Sequence, residues 1–301
     1  MKIINLGSLN IDKVYSVPHF VQEGETISSQ KLENFCGGKG LNQSLALARA
    51  GAQVSHVGAV GQDGGELLAM LAQAGVDTTA VLTSPGPSGH AVIQVNPSGH
   101  NCIIVTAGAN AQITPTMIDA SILQSQPGDW FLAQNETSCV AYGFEQARAA
   151  GLKVAFNPSP IDQALLEYPL DLVDLFVLNE GEGAHLAGLA EDADPELILE
   201  KLRARYPEAA FALTLGSKGA LCAAKGERLH QGIFPVKAVD TTAAGDTFCG
   251  FFLAAYTSGM PLEEALRLAS AAAAIAVSRP GAGPSIPVLK EVYEFLKKQE
   301  G

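Results

Sequence analysis

Short apolar runs and amphipathic stretches alternate along most of the chain, with glycine or proline at each change. Lys2 to Leu6 reads as a strand running into a turn at Gly7 and Ser8. Leu41 to Ala50 carries helical spacing up to Gly51, Val54 to Val60 reads as a strand, and Glu66 to Ala74 reads as a helix stopped by Gly75. The pattern continues with a strand over 130–134, a helix over 141–150, strands over 153–156 and 175–178, a helix over 195–206 and a strand over 211–215. Two long helices start near Gly245 and Pro261, and a terminal one follows Pro287. Such alternation predicts βαβ units around a mostly parallel sheet.

Two stretches break the rhythm. Residues 13–35 lose helical periodicity and carry β-formers among Pro18, Gly24 and Gly37. Residues 91–95 and 100–106 flank Asn96, Pro97, Ser98 and Gly99 as a β-hairpin flanks its turn. Together they predict a small sheet projecting from the main body.

Composition narrows the class. A length of 301 residues fits one large α/β domain or two smaller ones. The hydrophobic share of 47% supplies a sizeable core, and only 6% aromatic residues suits helices on a buried parallel sheet better than an all-β sandwich. A formal net charge of −12 argues against a nucleic-acid partner. Five scattered cysteines form no C-x-x-C pair, so the chain reads as a reduced cytoplasmic protein without a disulfide framework or zinc site. The first residues turn polar too soon for a signal peptide. The apolar run from Ala271 to Val277 falls far short of the roughly twenty residues a membrane span needs.

The strongest chemical signal is the run from Asp240 through Thr242, Ala243, Ala244 and Gly245 to Asp246, entering an apolar helix. A small-residue turn there presents the N–H groups of Ala243, Ala244 and Gly245 where the helix dipole favours negative charge. This would make a hole for a transferring phosphoryl group. Asp246 in the first turn can take a proton from an attacking hydroxyl. It can equally be an ordinary helix-stabilising acid, and these residues alone leave both readings open.

Cys36 to Asn42, with Gly37, Gly38, Lys39 and Gly40, enters another helix. Its glycines let a ligand approach the backbone, and Lys39 and Asn42 supply charge and an amide. It is no Walker loop, because Gly40 follows the lysine. Asn10 and Asp12 follow the first strand and can share one face toward sugar hydroxyls, or simply form a turn. Asn179 and Glu182 follow another strand and suit magnesium held through water. Thr214, Gly216, Ser217 and Gly219 form a strand-to-helix loop or a hairpin turn where a nucleotide can lie.

Taken in order, these five motifs resemble the ribokinase (phosphofructokinase-B) family of carbohydrate kinases, from residue 3 to about 296. Gly108, Ala109 and Asn110, and the tail of Arg279, Gly281 and Ser285, resemble its ribokinase branch more than its fructose or nucleoside relatives. The resemblance implies one kinase domain over 1–301, a three-layer α/β/α sandwich with a β-sheet lid at about 13–35 and 91–106. It implies magnesium-dependent transfer of the ATP γ-phosphoryl group to the 5-hydroxyl of D-ribose. Asn10, Asp12, Gly38, Lys39, Asn42 and Glu136 would then hold the sugar, with Asp246 as base. Asn179, Thr214 to Gly219 and Ser270 would flank the nucleotide. A potassium site falls on Asp240, Thr242, Ala276, Arg279, Gly281 and Ser285, and a homodimer would form through the lids.

Three positions depart from the family's pattern. Ala243 replaces a frequent glycine, which is tolerable if its φ stays negative. Ser270 stands where a larger His or Asn is frequent. His90 replaces a small apolar residue in the lid, within reach of the sugar on this reading. The alternatives are a kinase for deoxyribose, a ketose or a nucleoside, and a sugar-binding protein that has lost the chemistry. An intact Asp246 speaks against the second.

Overall fold

The computed structural model describes residues 1–224 and 226–299, leaving aside the side chain of residue 164. Its first half contains β1 (Lys2–Leu6), β2 (Asn10–Ser16), β3 (Lys31–Gly37), α1 (Lys39–Arg49), β4 (Gln53–Val60), α2 (Gly65–Gln73), β5 (Val81–Thr83), β6 (Gly89–Val95) and β7 (Asn101–Thr106). Then follow α3 (Pro115–Ile122), β8 (Trp130–Gln134), α4 (Val140–Ala149), β9 (Lys153–Asn157), β10 (Leu175–Asn179), α5 (Glu180–Ala187), α6 (Pro195–Arg205) and β11 (Ala210–Thr214). β12 (Ala220–Ala224), β13 (Glu227–Gln231), α7 (Ala244–Thr257), α8 (Leu262–Val277) and α9 (Leu289–Gln299) complete the described chain.

Nine strands form one sheet in the order β13-β12-β11-β10-β9-β8-β1-β4-β5. It is parallel except at one edge, where β11, β12 and β13 run antiparallel. Alternate side chains along each strand enter different layers. Ile3, Trp130 and Leu132 pack with Leu41, Phe251 and Ala269 of α1, α7 and α8, whereas Ile4, Phe131 and Ala133 pack with Ile118, Phe144 and Leu199 of α3, α4 and α6. Fully burying a phenylalanine such as Phe131 contributes about 1.5–3 kcal/mol. The α/β/α sandwich is thus as the motifs imply.

The chain winds outward from β1 through β4 to β5, then returns to β8 on the other side of β1. Ligands of open α/β sheets bind beyond the carboxyl ends of strands where the winding reverses. Here those ends carry Gly7 and Ser8 after β1 and Asn135 and Glu136 after β8.

The second sheet has the order β3-β2-β6-β7. It starts at Asn10 and Gly89, a little earlier than the hydrophobic pattern suggested, because Asn10 pairs with both Gly37 and Gly89. Several elements escaped the pattern: α3, α5, β5 and the β12–β13 hairpin. The Thr214 to Gly219 segment is a hairpin turn, since Leu215 N–H donates to Gly219 C=O and β12 returns antiparallel. Among the described residues no helix is long and apolar enough to cross a membrane.

Candidate active site

Helix α1 begins at Lys39 because Gly38 adopts φ 97°, a conformation that suits only glycine, and turns the chain out of β3. The next glycine serves packing. A Cβ on Gly40 would meet the Gly7 carbonyl carbon at 2.4 Å, so Gly40 brings the helix start against the end of β1. Its bareness is therefore used by the protein's own backbone, where the sequence suggested a ligand. The result places Lys39 and Asp246 on the lining of one cavity, with Asn42 hydrogen-bonded to Asp246.

Asp246 is buried at the start of α7, and each carboxylate oxygen accepts one side-chain amide. Asn42 Nδ2 lies 3.0 Å from Oδ2, and Gln43 Nε2 lies 2.9 Å from Oδ1. A cavity of about 220 Å³ opens in front of it, lined among others by Lys39, Asn179, Glu182, Thr214, Ala243 and Gly245. Burial alone would depress the Lys39 ammonium, but the charges of Asp246, Glu136 and Glu182 outweigh this and hold its pKa above the usual lysine value.

The turn before α7 differs from expectation. Ala243 sits at φ 60°, in the left-handed region, so the condition of a negative φ, under which alanine is readily tolerated there, is not met. The turn nevertheless leaves the N–H groups of Ala243, Gly245 and Asp246 without acceptors among the described residues, while Ala244 N–H donates to Thr241 C=O at 3.3 Å. Ala244 therefore does not add a free donor. Ala243, Gly245 and Asp246, at a helix N-terminus, line the cavity.

On the other flank, Lys39 N–H donates to Glu136 at 3.1 Å, and the Ser8 hydroxyl donates to the same carboxylate. Burial pushes the Glu136 carboxyl above its ordinary pKa despite these donors. Asp12 is raised to about 6, first by burial and then by the Glu136 charge. Asn10 is a buried member of β2 whose Oδ1 accepts from Asn110 Nδ2 at 2.7 Å. Asn10 and Asp12 are thus strand residues on one face. The pairing of His90 with Ile11 puts His90 on the opposite face, so it does not face the Asn10 and Asp12 side. That face borders a separate cavity lined by Ile11, Lys13, Cys36 and Glu66.

Asn179 and Glu182 form a capping box for α5: Asn179 Oδ1 accepts from Glu182 N–H at 2.8 Å, and Glu182 Oε2 accepts from Asn179 N–H at 2.9 Å. Glu182 also lines the cavity. Gly216, Ser217 and Gly219 belong to the β11–β12 turn, outside the cavity lining. Ser270 lies in α8 with a buried hydroxyl that has no hydrogen-bond partner among the described residues.

Asp240 joins two loops: Oδ1 accepts from Thr242 N–H and Oγ1 at 2.9 and 2.6 Å, and Oδ2 accepts from Gly281 N–H at 2.9 Å. Burial would raise the Asp240 carboxyl, but these donors prevail and lower it. The Arg279 side chain turns away to Glu291 at 2.7 Å, Ala276 C=O accepts from Arg279 N–H, and Ser285 Oγ donates to Ala282 C=O. Among the described residues no group of three or more His, Cys, Asp or Glu is placed to hold a metal. Ser8, Gln43, Asn110 and Asn157 also belong to this neighbourhood, and the motif reading gave none of them a site role.

A cavity at the carboxyl ends of the parallel strands, a buried carboxylate on its lining and a second, four-stranded sheet make up the arrangement. The chain belongs to a family of carbohydrate kinases: the model for "pfkB family carbohydrate kinase" matches residues 1–289. A protein of Haemophilus influenzae named ribokinase is 40% identical over 300 residues, covering 97% of each chain. The crystal structure of ribokinase from Cryptococcus neoformans var. grubii serotype A in complex with ADP superposes with a TM-score of 0.85 at 35% identity, covering 97% of this chain and 99% of the other. That of Arabidopsis thaliana ribokinase complexed with ribose and ATP gives 0.84 at 31% identity, covering 98% of both.

Proposed function

We propose that the chain transfers the γ-phosphoryl group of ATP to the 5-hydroxyl of D-ribose, giving ribose 5-phosphate and ADP. The observation that carries the reading is the buried Asp246 carboxylate, held by two amides on the lining of a cavity beside backbone N–H groups that have no acceptor among the described residues. The relatives named ribokinase, and the one solved with ribose and ATP, supply the substrates. Asn10, Asp12, Gly38, Lys39, Asn42 and Glu136 bind the sugar, and Asn179, Thr214 to Gly219 and Ser270 flank the nucleotide. Asp246 accepts the hydroxyl proton as the sugar oxygen bonds to phosphorus and the bond to the ADP oxygen breaks. The Ala243, Gly245 and Asp246 amides and the Lys39 ammonium offset the developing charge. The whole chain works as one domain, with the second sheet as its lid.

The Glu182 carboxylate on the cavity lining suits magnesium, which keeps waters and is carried largely by phosphates. When bound, it would neutralise phosphate charge. Asp240, through its remaining lone pairs, and carbonyls around Thr242, Ala276, Arg279 and Gly281, with Ser285, form an oxygen-rich set that suits potassium. Equal activity in potassium-free and potassium-saturated buffer would contradict that site. Ile103, Ile104 and Val105 on the lid's edge strand are 52%, 65% and 61% exposed, and a second copy of the chain covers them in a homodimer. A monomer at micromolar concentration in light scattering would contradict the dimer.

The test of substrate is ADP release measured against pentoses, deoxyribose, ketoses and nucleosides. Ribose should give the highest kcat/KM, and a clear preference for another acceptor would overturn the reading.

A further inference from the structure

Beneath Asp246 lies a buried chain of uncharged polar side chains that ends on backbone carbonyls. Carbonyls only accept hydrogen bonds, so they fix the direction of every bond in the chain. His56 Nε2 lies 3.1 Å from Gly7 C=O and must carry the proton. Burial depresses the imidazole pKa to about 4, so the ring is neutral near pH 7 and Nδ1 is bare. The Ser44 hydroxyl, 2.8 Å from Nδ1, therefore donates to it. Ser44 Oγ in turn accepts from Asn5 Nδ2 at 2.8 Å, and the same amide donates to Gly40 C=O at 3.0 Å.

The direction then passes across the sheet. With its nitrogen so committed, Asn5 presents Oδ1 to Gln134 Nε2 at 2.9 Å. That nitrogen also donates to Gln43 Oε1 at 2.8 Å. Gln43 must therefore present Nε2 on its other side, where it donates to Asp246 Oδ1 at 2.9 Å and to Asn157 Oδ1 at 3.0 Å. Asn157 is anchored by its own nitrogen on Val177 C=O at 2.9 Å.

Asn42, the other amide on Asp246, has no such lock. Its Oδ1 is buried without a partner among the described residues, so only the carboxylate itself holds its Nδ2 in place. A flipped amide would set oxygen against oxygen and push the carboxylate out of line. We infer that Gln43 is a positioning residue that sets the orientation of the Asp246 carboxylate toward the acceptor hydroxyl, and that Gln134 acts through it by locking its amide. This inference rests on the reading of Asp246 as the base.

The experiment uses length-conserving apolar replacements, Gln43→Met and Gln134→Met, and the double variant, with the sugar that the wild type turns over best. Turnover number, the calorimetric dissociation constant for the sugar and the thermal midpoint are read on each. Gln43→Met should lower kcat by about 10–100-fold with sugar affinity within about twofold of wild type. Gln134→Met, which does not touch Asp246, should lower kcat by about 3–10-fold, because Gln43 Oε1 then keeps only the weak Cys249 thiol donor at 3.6 Å and the amide is held less firmly. The double variant should be no slower than Gln43→Met, since one acts through the other. A purely structural role would lower the thermal midpoint and leave kcat of the folded protein unchanged. Unchanged kcat in Gln43→Met, or multiplicative losses in the double variant, would overturn the inference. If Gln43→Met fails to fold, Gln134→Met alone decides, by lowering kcat at constant affinity or leaving it unchanged. A wild type preferring another sugar contradicts only the ribose assignment.

Discussion

Asn42 donates its side-chain amide to Asp246 across 3.0 Å, a contact that joins helices whose first turns are two hundred residues apart in sequence. Gly250 of α7 lies directly on the backbone of α1: a Cβ there would meet that of Ala46 at 2.4 Å. The two helix starts are thereby held in one place without a covalent link, and the carboxylate sits between them.

If Asp246 takes the proton, removing its basicity should stop turnover and spare binding. Asp246→Asn should lower kcat by about a thousandfold, while calorimetric sugar affinity stays within about threefold. Near wild-type turnover in this variant would remove Asp246 from the role of base.

Asp12 carries a cost at neutral pH. Its folded pKa, about 6, lies above the ordinary value of 3.8, so the folded chain holds that proton to higher pH than the unfolded chain does. Stability from this group therefore falls as pH rises from about 4 to about 6 and is flat above, by about 3 kcal/mol in all. Asp12→Asn should be more stable than wild type at pH 7.5 and closely similar at pH 4, in urea unfolding at both. The same variant should bind sugar more weakly, the usual exchange of stability for function. A stability difference that does not change with pH would contradict the raised pKa.

Ala243 at φ 60° stores backbone strain of about 1–2 kcal/mol. A glycine would relieve it but lose about 0.4–1 kcal/mol through the freer unfolded chain. Ala243→Gly should thus gain about 0.5–1 kcal/mol, and Ala243→Val should lose at least as much, because β-branched residues resist this conformation. Equal stability of all three in chemical unfolding would show that the turn relaxes to negative φ.

The central strands were legible because a parallel sheet buried on both faces needs continuous apolar runs, as in Leu175 to Leu178. Helix α5 was not, since its Gly181 and Gly183 lower helix propensity and it depends on the Asn179–Glu182 capping box. Strand β12 has three alanines in five residues, which favour helix, and only pairing with β11 and β13 fixes it as a strand. In the site, Lys39, Asn42 and Asp246 could be read from short motifs. The chain from His56 to Gln43 could not, because it forms only where β1, β4, β8 and α1 meet. Its one sequence trace is polar residues inside buried apolar strands: Asn5 after Ile3 and Ile4, and Gln134 at the end of β8. Such residues must find partners or forfeit stability.

The most direct test of the central claim follows the product by phosphorus NMR when purified protein is mixed with magnesium, ATP, potassium and D-ribose. The account predicts a phosphate-monoester resonance coupled to the ribose C5 protons, growing in step with ADP and absent with Asp246→Asn. Phosphate appearing on another ribose hydroxyl, or ADP and a sugar phosphate forming at the wild-type rate in Asp246→Asn, would contradict it.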